Sequence, residues 1–360
     1  MLKTEVSVRR LGFRAWPLAL LGMLLLPAPA DVAAQRQPER FASERIGRSS
    51  PAQQALQERI AELGRAFPGE VGIAVRDIET GAVASWNGNR LLPQQSVSKF
   101  LVALTAFDAI DRGRLSLDKR VTIRRDDLTL FHQPIRALVG ANGYTTSLQN
   151  LLERAITQSD CTANDVVLWQ AGGPTAVRAF LANRQLAGLR FGPGERLMQS
   201  GIAGVTWNQA MSIGNGFEQA RALVPMATRR RLFNDYVANP IDGASPLAMT
   251  ETLARLQRGE LLSLRSTERL LAIMARTRTG RSRLAGGLPA GWAIAHKTGT
   301  GQVLGGEQAG YNDVGIITSP DGRRYAVAVL IGRTAAPNIV RMRLMQNVTR
   351  AAIAYHEAAR

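Results

Sequence analysis

Apolar residues recur at helical spacing from about residue 52 to 67, at Leu56, Ile60 and Leu63, and the run stops before Pro68-Gly69. The pattern then changes period. Residues 71–77 read as a strand, Glu79-Thr80-Gly81 as a turn, and residues 82–87 as a second strand. From near Pro93 to about Ile110 the chain is almost continuously apolar, which predicts a long buried helix. Residues 115–295 read mainly as helices and loops. Strand character returns at 292–297, 314–318 and 325–331, with Asp321-Gly322 marking the turn between the last two. A terminal helix is predicted from about Pro337 onward.

These elements imply an α+β fold. The two ends of the chain jointly build one antiparallel β-sheet faced by helices, and residues from about 115 to 285 form an all-helical lobe. A site is expected between the two. There is no internal repeat.

The first 34 residues follow another logic. Lys3, Arg9, Arg10 and Arg14 precede an apolar run over 18–26 and then small residues at Ala28-Pro29-Ala30 and Val32-Ala33-Ala34. This is an export-signal pattern, too short for a membrane span, with cleavage expected after Ala34 and a periplasmic or secreted destination. Arg9-Arg10 also permits twin-arginine export. Residues 35–52 are polar and charged and read as a flexible leader, leaving 53–360 as the folded domain.

Composition narrows the chemistry. Of 360 residues, 45% are hydrophobic and 20% charged, ordinary values for a globular chain. The formal charge is +17, but the arginines are scattered and no basic stripe interleaves with aromatics, so nucleic-acid binding is not expected. Cys161 is the only cysteine, which rules out an internal disulfide, and His132, His296 and His356 lack metal-ligand spacing. No metal, cofactor or stable membrane insertion is expected, and a monomer is the default.

Three short segments carry the reaction chemistry. Ser96 and Lys99 are three apart at the start of the long helix and share a face, so an amine stands beside a hydroxyl that needs a base. Ser159-Asp160-Cys161 and Lys297-Thr298-Gly299 follow in order. The set resembles the serine penicillin-recognising enzymes and is closest to class A β-lactamases, over roughly residues 53–357. The resemblance implies an acylated nucleophile at Ser96, proton handling by Lys99, and Ser159 as proton donor to the departing lactam nitrogen. It gives Lys297 and Thr298 a substrate carboxylate, and makes the backbone N–H groups of Ser96 and Thr300 an oxyanion hole. It also implies a carboxylate-binding role for Arg283, an aromatic gate at Phe131, and Glu195 with Gln199 holding the water that hydrolyses the acyl ester. Glu218 is a second candidate for that base.

Three departures from the family pattern stand out. Cys161 occupies the place of an asparagine that usually contacts the substrate amide and the lysine, and a thiol is a weaker hydrogen-bonding group. A loop insertion spans about 200–241, before Asp242, and the arginine that usually pairs with that acidic residue is missing. Tyr311 stands where some members carry another arginine. The expected function is a serine β-lactamase working on β-lactam antibiotics. The alternatives are a penicillin-binding D,D-peptidase or esterase-like hydrolase of the same fold, or a binder of β-lactams or peptidoglycan that does not turn over.

Overall fold

A computed structural model describes residues 50–360. The export signal over 1–34 and most of the leader lie outside the described residues. Helix α1 (Pro51–Ala66) leads into β1 (Glu70–Asp77), β2 (Val83–Trp86) and the short β3 (Leu92–Pro93), followed by α2 (Lys99–Asp111). The middle of the chain adds β4 (Arg120–Ile123), β5 (Tyr144–Ser147), α3 (Leu148–Glu153), α4 (Cys161–Gln170), α5 (Gly173–Asn183), α6 (Glu195–Ala203), α7 (Gly216–Leu223), α8 (Met226–Ala238), β6 (Gly243–Ala244), α9 (Pro246–Gln257) and α10 (Leu264–Ala275). The last part supplies β7 (Ala293–Thr300), β8 (Val303–Leu304), β9 (Glu307–Thr318), β10 (Arg324–Thr334) and α11 (Asn338–Ala358).

The fold is α+β, as the pattern of elements predicts. The main sheet runs β2-β1-β10-β9-β7, with β8 paired to β9. All its pairings are antiparallel; Ile73 lies opposite Val329, and Lys297 opposite Val314. Strand β10 shows why the sheet is covered on both faces. Its odd positions, Tyr325, Val327, Val329 and Ile331, pack with Leu56, Ile60, Leu344 and Val348 from α1 and α11. Its even positions, Ala326, Ala328 and Leu330, join the core built around Phe100, Leu104, Phe107, Val167 and Leu253. Side chains alternate across a strand, so a continuous apolar run fills two cores at once.

Local signals set the helix ends. The Ser50 hydroxyl accepts the Gln53 N–H at 3.2 Å, and Pro51 sits in the first turn of α1. Asp160 caps α4 by accepting the Ala163 N–H at 2.9 Å. Four features differ from the sequence reading. The lobe expected to be all-helical over about 115–285 also carries strands, β4 paired with β5 and the short β6 paired with β3, because residues 120–123 and 144–147 lie in antiparallel register. The long helix begins at Lys99, and Ser96 sits before it in a 3-10 turn over Gln95–Ser98. Strand β9 starts at Glu307, earlier than its apolar stretch, because Gln308 and Ala309 pair with Thr334 and Arg333 of β10. The segment expected as a long loop, 200–241, is mostly helical. It comprises the end of α6, a 3-10 turn over Gln209–Ser212, α7 and α8. Its apolar side chains explain this: Phe233, Tyr236 and Val237 pack on Met198, Ile202 and Leu304, and Phe217 packs with Leu130 and Ala203.

Candidate active site

Ser96 is held by the turn before α2 and by the sheet beneath it. The Asn312 side chain, on β9, donates to the carbonyls of Pro93 at 2.7 Å and Gln94 at 2.9 Å. Its Oδ1 accepts the Ile331 N–H at 2.9 Å, so the turn is fastened to β9 and β10 together. Gly299 lies against the same turn. A Cβ there would stand 2.3 Å from the Gln94 carbonyl oxygen, so only glycine allows this approach.

Lys99 Nζ donates to Ser96 Oγ at 2.7 Å, contacts Cys161 Sγ at 3.7 Å, and pairs with the Glu195 carboxylate. Lys99 is wholly buried and Glu195 nearly so. Burial alone would lower the lysine pKa, but the charge and hydrogen bond of Glu195, with the charge of Asp165, oppose it and the net shift is upward. Lys99 therefore rests as an ammonium. Glu195 is the first residue of α6, and its main-chain N–H donates to Asp165 Oδ1 of α4 at 3.0 Å. Burial and the charge of Glu195 push Asp165 up to about 6.

The second alcohol is placed by backbone strain. A π-helical turn over Arg154–Gln158 ends at Ser159, which takes a left-handed conformation with φ of 60°. Such turns and such a φ on a non-glycine residue concentrate at functional positions. Lys297 Nζ, on β7, donates to Ser159 Oγ at 2.9 Å and to the Thr298 carbonyl at 2.7 Å. Burial, Lys99 and Arg283 together hold Lys297 well below the usual lysine range. The two alcohol–amine pairs are tied to one another twice: Cys161, two residues past Ser159, touches Lys99, and Gly299, two past Lys297, packs on the Ser96 turn. Burial and Glu195 raise the Cys161 thiol to about 12, so it stays protonated.

A cleft of about 390 Å³ opens over this arrangement. Ser96, Phe131, Cys161, Glu195, Gln199 and Thr300 line it, together with His132, Gly301, Gln302, Val303 and the α7 residues Glu218 and Arg221. Phe131 is 44% exposed and meets Phe217 edge-on, ring centres 5.0 Å apart. The His132 carbonyl accepts the Cys161 N–H at 2.9 Å, which pins this loop to α4. Glu218 is engaged by Arg221 at 2.7 Å.

Three of the expected binding residues, Lys297, Thr298 and Arg283, do not line the cleft. Lys297 is wholly buried against Ser159. The Thr298 hydroxyl pairs with that of Thr279 at 2.6 Å. Arg283 is buried: it donates to the carbonyls of Gly299 at 2.9 Å and Asn312 at 2.6 Å, and its guanidinium stacks on Tyr311 at 3.8 Å. It reaches the cleft only through Thr300, whose hydroxyl accepts from it at 2.6 Å. Asp242 accepts the Gln95 N–H at 2.7 Å and the Tyr236 hydroxyl at 3.0 Å, so a tyrosine from the inserted segment stands in for the missing arginine. The sequence reading missed Gln95, Asp165, Gln302 and Asn312. Asn312-Asp313, a polar pair directly before the apolar stretch that begins at Val314, was the signal available for the last. Among the described residues there is no cluster of histidine, cysteine and carboxylate side chains fit for a metal ion.

The chain is similar to known proteins over most of its length. The chain is 26% identical to β-lactamase VEB-1 of Pseudomonas aeruginosa over 81% of its own length and 87% of that protein. It is 28% identical to the extended-spectrum β-lactamase PER-1 of the same species, covering 82% of this chain and 84% of that one. Among solved structures, a β-lactamase from Chitinophaga pinensis superposes with a TM-score of 0.69 at 28% identity, over 85% of this chain and 99% of its own. An ancestral class A β-lactamase gives a TM-score of 0.66 at 28% identity, over 83% and 98%. Residues 55–356 match the family model described as the β-lactamase enzyme family, and the chain belongs to that family, in its class A group.

Proposed function

We propose that this protein hydrolyses β-lactams through an ester on Ser96, and that Glu195 activates the water that cleaves it. The observation that carries the reading is the unbroken contact from Ser96 Oγ to Lys99 Nζ to the Glu195 carboxylate, at the floor of a cleft. A shift of one proton from Lys99 to Glu195 leaves a neutral amine against the serine. That amine takes the Ser96 proton as Oγ bonds to the lactam carbonyl carbon. The C–N bond then breaks, Ser159 protonates the departing nitrogen, and Lys297 refills Ser159. A substrate carboxylate near Lys297 counters the burial and the cationic neighbours that depress its pKa, so Lys297 gains its charge as substrate binds. The N–H groups of Ser96 and Thr300 serve the oxyanion; removing one such donor typically costs on the order of a hundredfold in rate.

Deacylation begins once Glu195 has released its extra proton to solvent. It then takes one from a water held with Gln199 as hydroxide adds to the ester carbon; when the C–O bond to Ser96 breaks, Lys99 protonates Ser96 Oγ and recovers its proton from Glu195. Arg283 acts at one remove by orienting Thr300. The N-terminal signal pattern supports action outside the cytoplasm, in the periplasm.

The test is to mix the purified protein with a chromogenic cephalosporin and follow both colour and intact mass. Steady turnover is expected, with Glu195→Gln accumulating an adduct on Ser96. A persistent adduct in the unaltered protein would assign it to the penicillin-binding alternative, and neither adduct nor turnover would remove the acyl-serine chemistry.

A further inference from the structure

Gln199, beside Glu195 in the cleft, is gripped at both ends of its amide. Gln302 Nε2 donates to Gln199 Oε1 at 3.0 Å and to the Gln199 main-chain carbonyl at 2.8 Å. Gln199 Nε2 donates to Gln95 Oε1 at 2.8 Å, and Gln95 Nε2 donates to the Tyr236 hydroxyl at 2.6 Å. Tyr236 in turn donates to Asp242 Oδ1 at 3.0 Å, and Arg221 Nη1 reaches Gln302 Oε1 at 3.5 Å. The chain therefore runs Arg221, Gln302, Gln199, Gln95, Tyr236, Asp242. Its ends set its direction: a guanidinium only donates and a carboxylate only accepts. Every amide between them must then present its carbonyl toward Arg221 and its NH2 toward Asp242. Bonds aligned head to tail polarise and strengthen one another. Gln199, Gln95, Gln302, Tyr236 and Asp242 are all buried. Arg221 and Tyr236 belong to α7 and α8, inside the inserted segment, and Asp242 closes it.

We propose that this amide chain lets the inserted segment set the rate of deacylation, with Tyr236 as a positioning residue that acts through Gln95 on Gln199. The inference rests on the acyl-serine reading above. With one bond on each side of its amide, Gln199 keeps one carbonyl lone pair and one N–H for a water beside Glu195, and the chain fixes where they point. Acylation depends on Ser96, Lys99, Ser159 and Lys297, none of which bonds to Tyr236. The two chemical steps should therefore separate.

The experiment measures acylation by stopped flow with enzyme in excess, and deacylation by decay of the Ser96 adduct in intact mass spectra, using a chromogenic cephalosporin. Tyr236→Phe removes one hydroxyl and keeps the ring. It should slow deacylation roughly tenfold, the scale of one lost hydrogen bond, and leave acylation within about twofold. Gln302→Leu should slow deacylation by a similar factor. Because both act through Gln199, the double variant should stay near the single variants instead of reaching the roughly hundredfold of independent sites. Equal slowing of both steps in Tyr236→Phe, no change in either, or multiplicative behaviour of the double variant overturns the proposal. If Tyr236→Phe fails to fold, unchanged deacylation in Gln302→Leu overturns it alone. Glu195→Gln separates the two levels of the argument. An adduct there with unaffected Tyr236→Phe removes the amide chain only, whereas no adduct in any variant removes the acyl-serine reading and this inference with it.

Discussion

Replacing Asp165 with asparagine should stabilise the folded protein at neutral pH. Asp165 is buried in α4. Its Oδ1 accepts the Glu195 N–H at 3.0 Å, and its paired cation, Arg196, is 4.0 Å from Oδ2. Burial, then the charge of Glu195, raises its pKa from the ordinary 3.8 to about 6. A difference of that size corresponds to roughly 3 kcal/mol between the two protonation states. The sign follows from proton linkage. Below pH 3.8 the carboxyl is protonated whether folded or unfolded, and nothing is lost. Between 3.8 and about 6 the folded state binds more protons, so stability falls as pH rises; above 6 the full penalty is present.

Asp165→Asn keeps the carbonyl that accepts the Glu195 N–H and removes the buried charge. The attraction of Arg196 is already contained in that net shift, so nothing further is subtracted. The net expectation is a gain of about 3 kcal/mol near pH 7.5 that shrinks toward zero near pH 4. Urea unfolding followed by circular dichroism at pH 4, 5.5 and 7.5 measures it. A variant no more stable than its parent at pH 7.5, or a gain that does not shrink in acid, would refute the reasoning.

Gly299→Ala forces a Cβ to within 2.3 Å of the Gln94 carbonyl and 3.2 Å of the Val97 nitrogen, both backbone atoms flanking the Ser96 turn. Acylation measured by stopped flow should fall by on the order of a hundredfold, because small misplacement of a reacting group is that costly; a variant acylating at the parent rate would show that the turn yields freely. Cys161, buried and pushed up to about 12, should resist iodoacetamide at pH 8 in the folded protein and react once urea unfolds it. Intact mass before and after unfolding reads this directly, and quick labelling of the folded state would contradict the protonated, enclosed thiol.

The legible part of the fold was the part governed by apolar periodicity. Strands β1, β2, β7 and β10 and helices α1, α2 and α11 carry runs whose period and end signals point to one answer. β9 was only half legible: Glu307 to Asn312 are mostly polar or small, and they are strand because β10 offers a register for them, which is a tertiary cause. Site residues in short motifs could be named, but contacts between distant segments could not. Nothing local to Tyr236 announces that its hydroxyl meets Asp242, and nothing local to Gln302 points to Gln199. Arg283 shows the opposite limit: its position suggested direct carboxylate binding, and packing on Tyr311 turned it beneath the sheet surface.

The inserted segment gains meaning from what it does to Asp242. An arginine partner would hold that carboxylate charged by direct attraction. Here burial raises Asp242 to about 6, opposed by neutral donors: the Gln95 N–H, the Tyr236 hydroxyl and its own main-chain N–H. Closure of the segment is thus weaker in charge but more closely coupled to the reaction centre. Gln95 precedes Ser96 in sequence, holds a left-handed φ of 54°, and is gripped through both its backbone and its side chain. The backbone of Gln95 is held by Asp242 and its side-chain amide by Tyr236, so a change at Tyr236 reaches the Gln199 amide first and leaves the backbone tie of the Ser96 turn in place. The segment is wired to the chemistry by a glutamine, and substitutions along α8 should register in the kinetics of the acyl-enzyme before they register in substrate affinity.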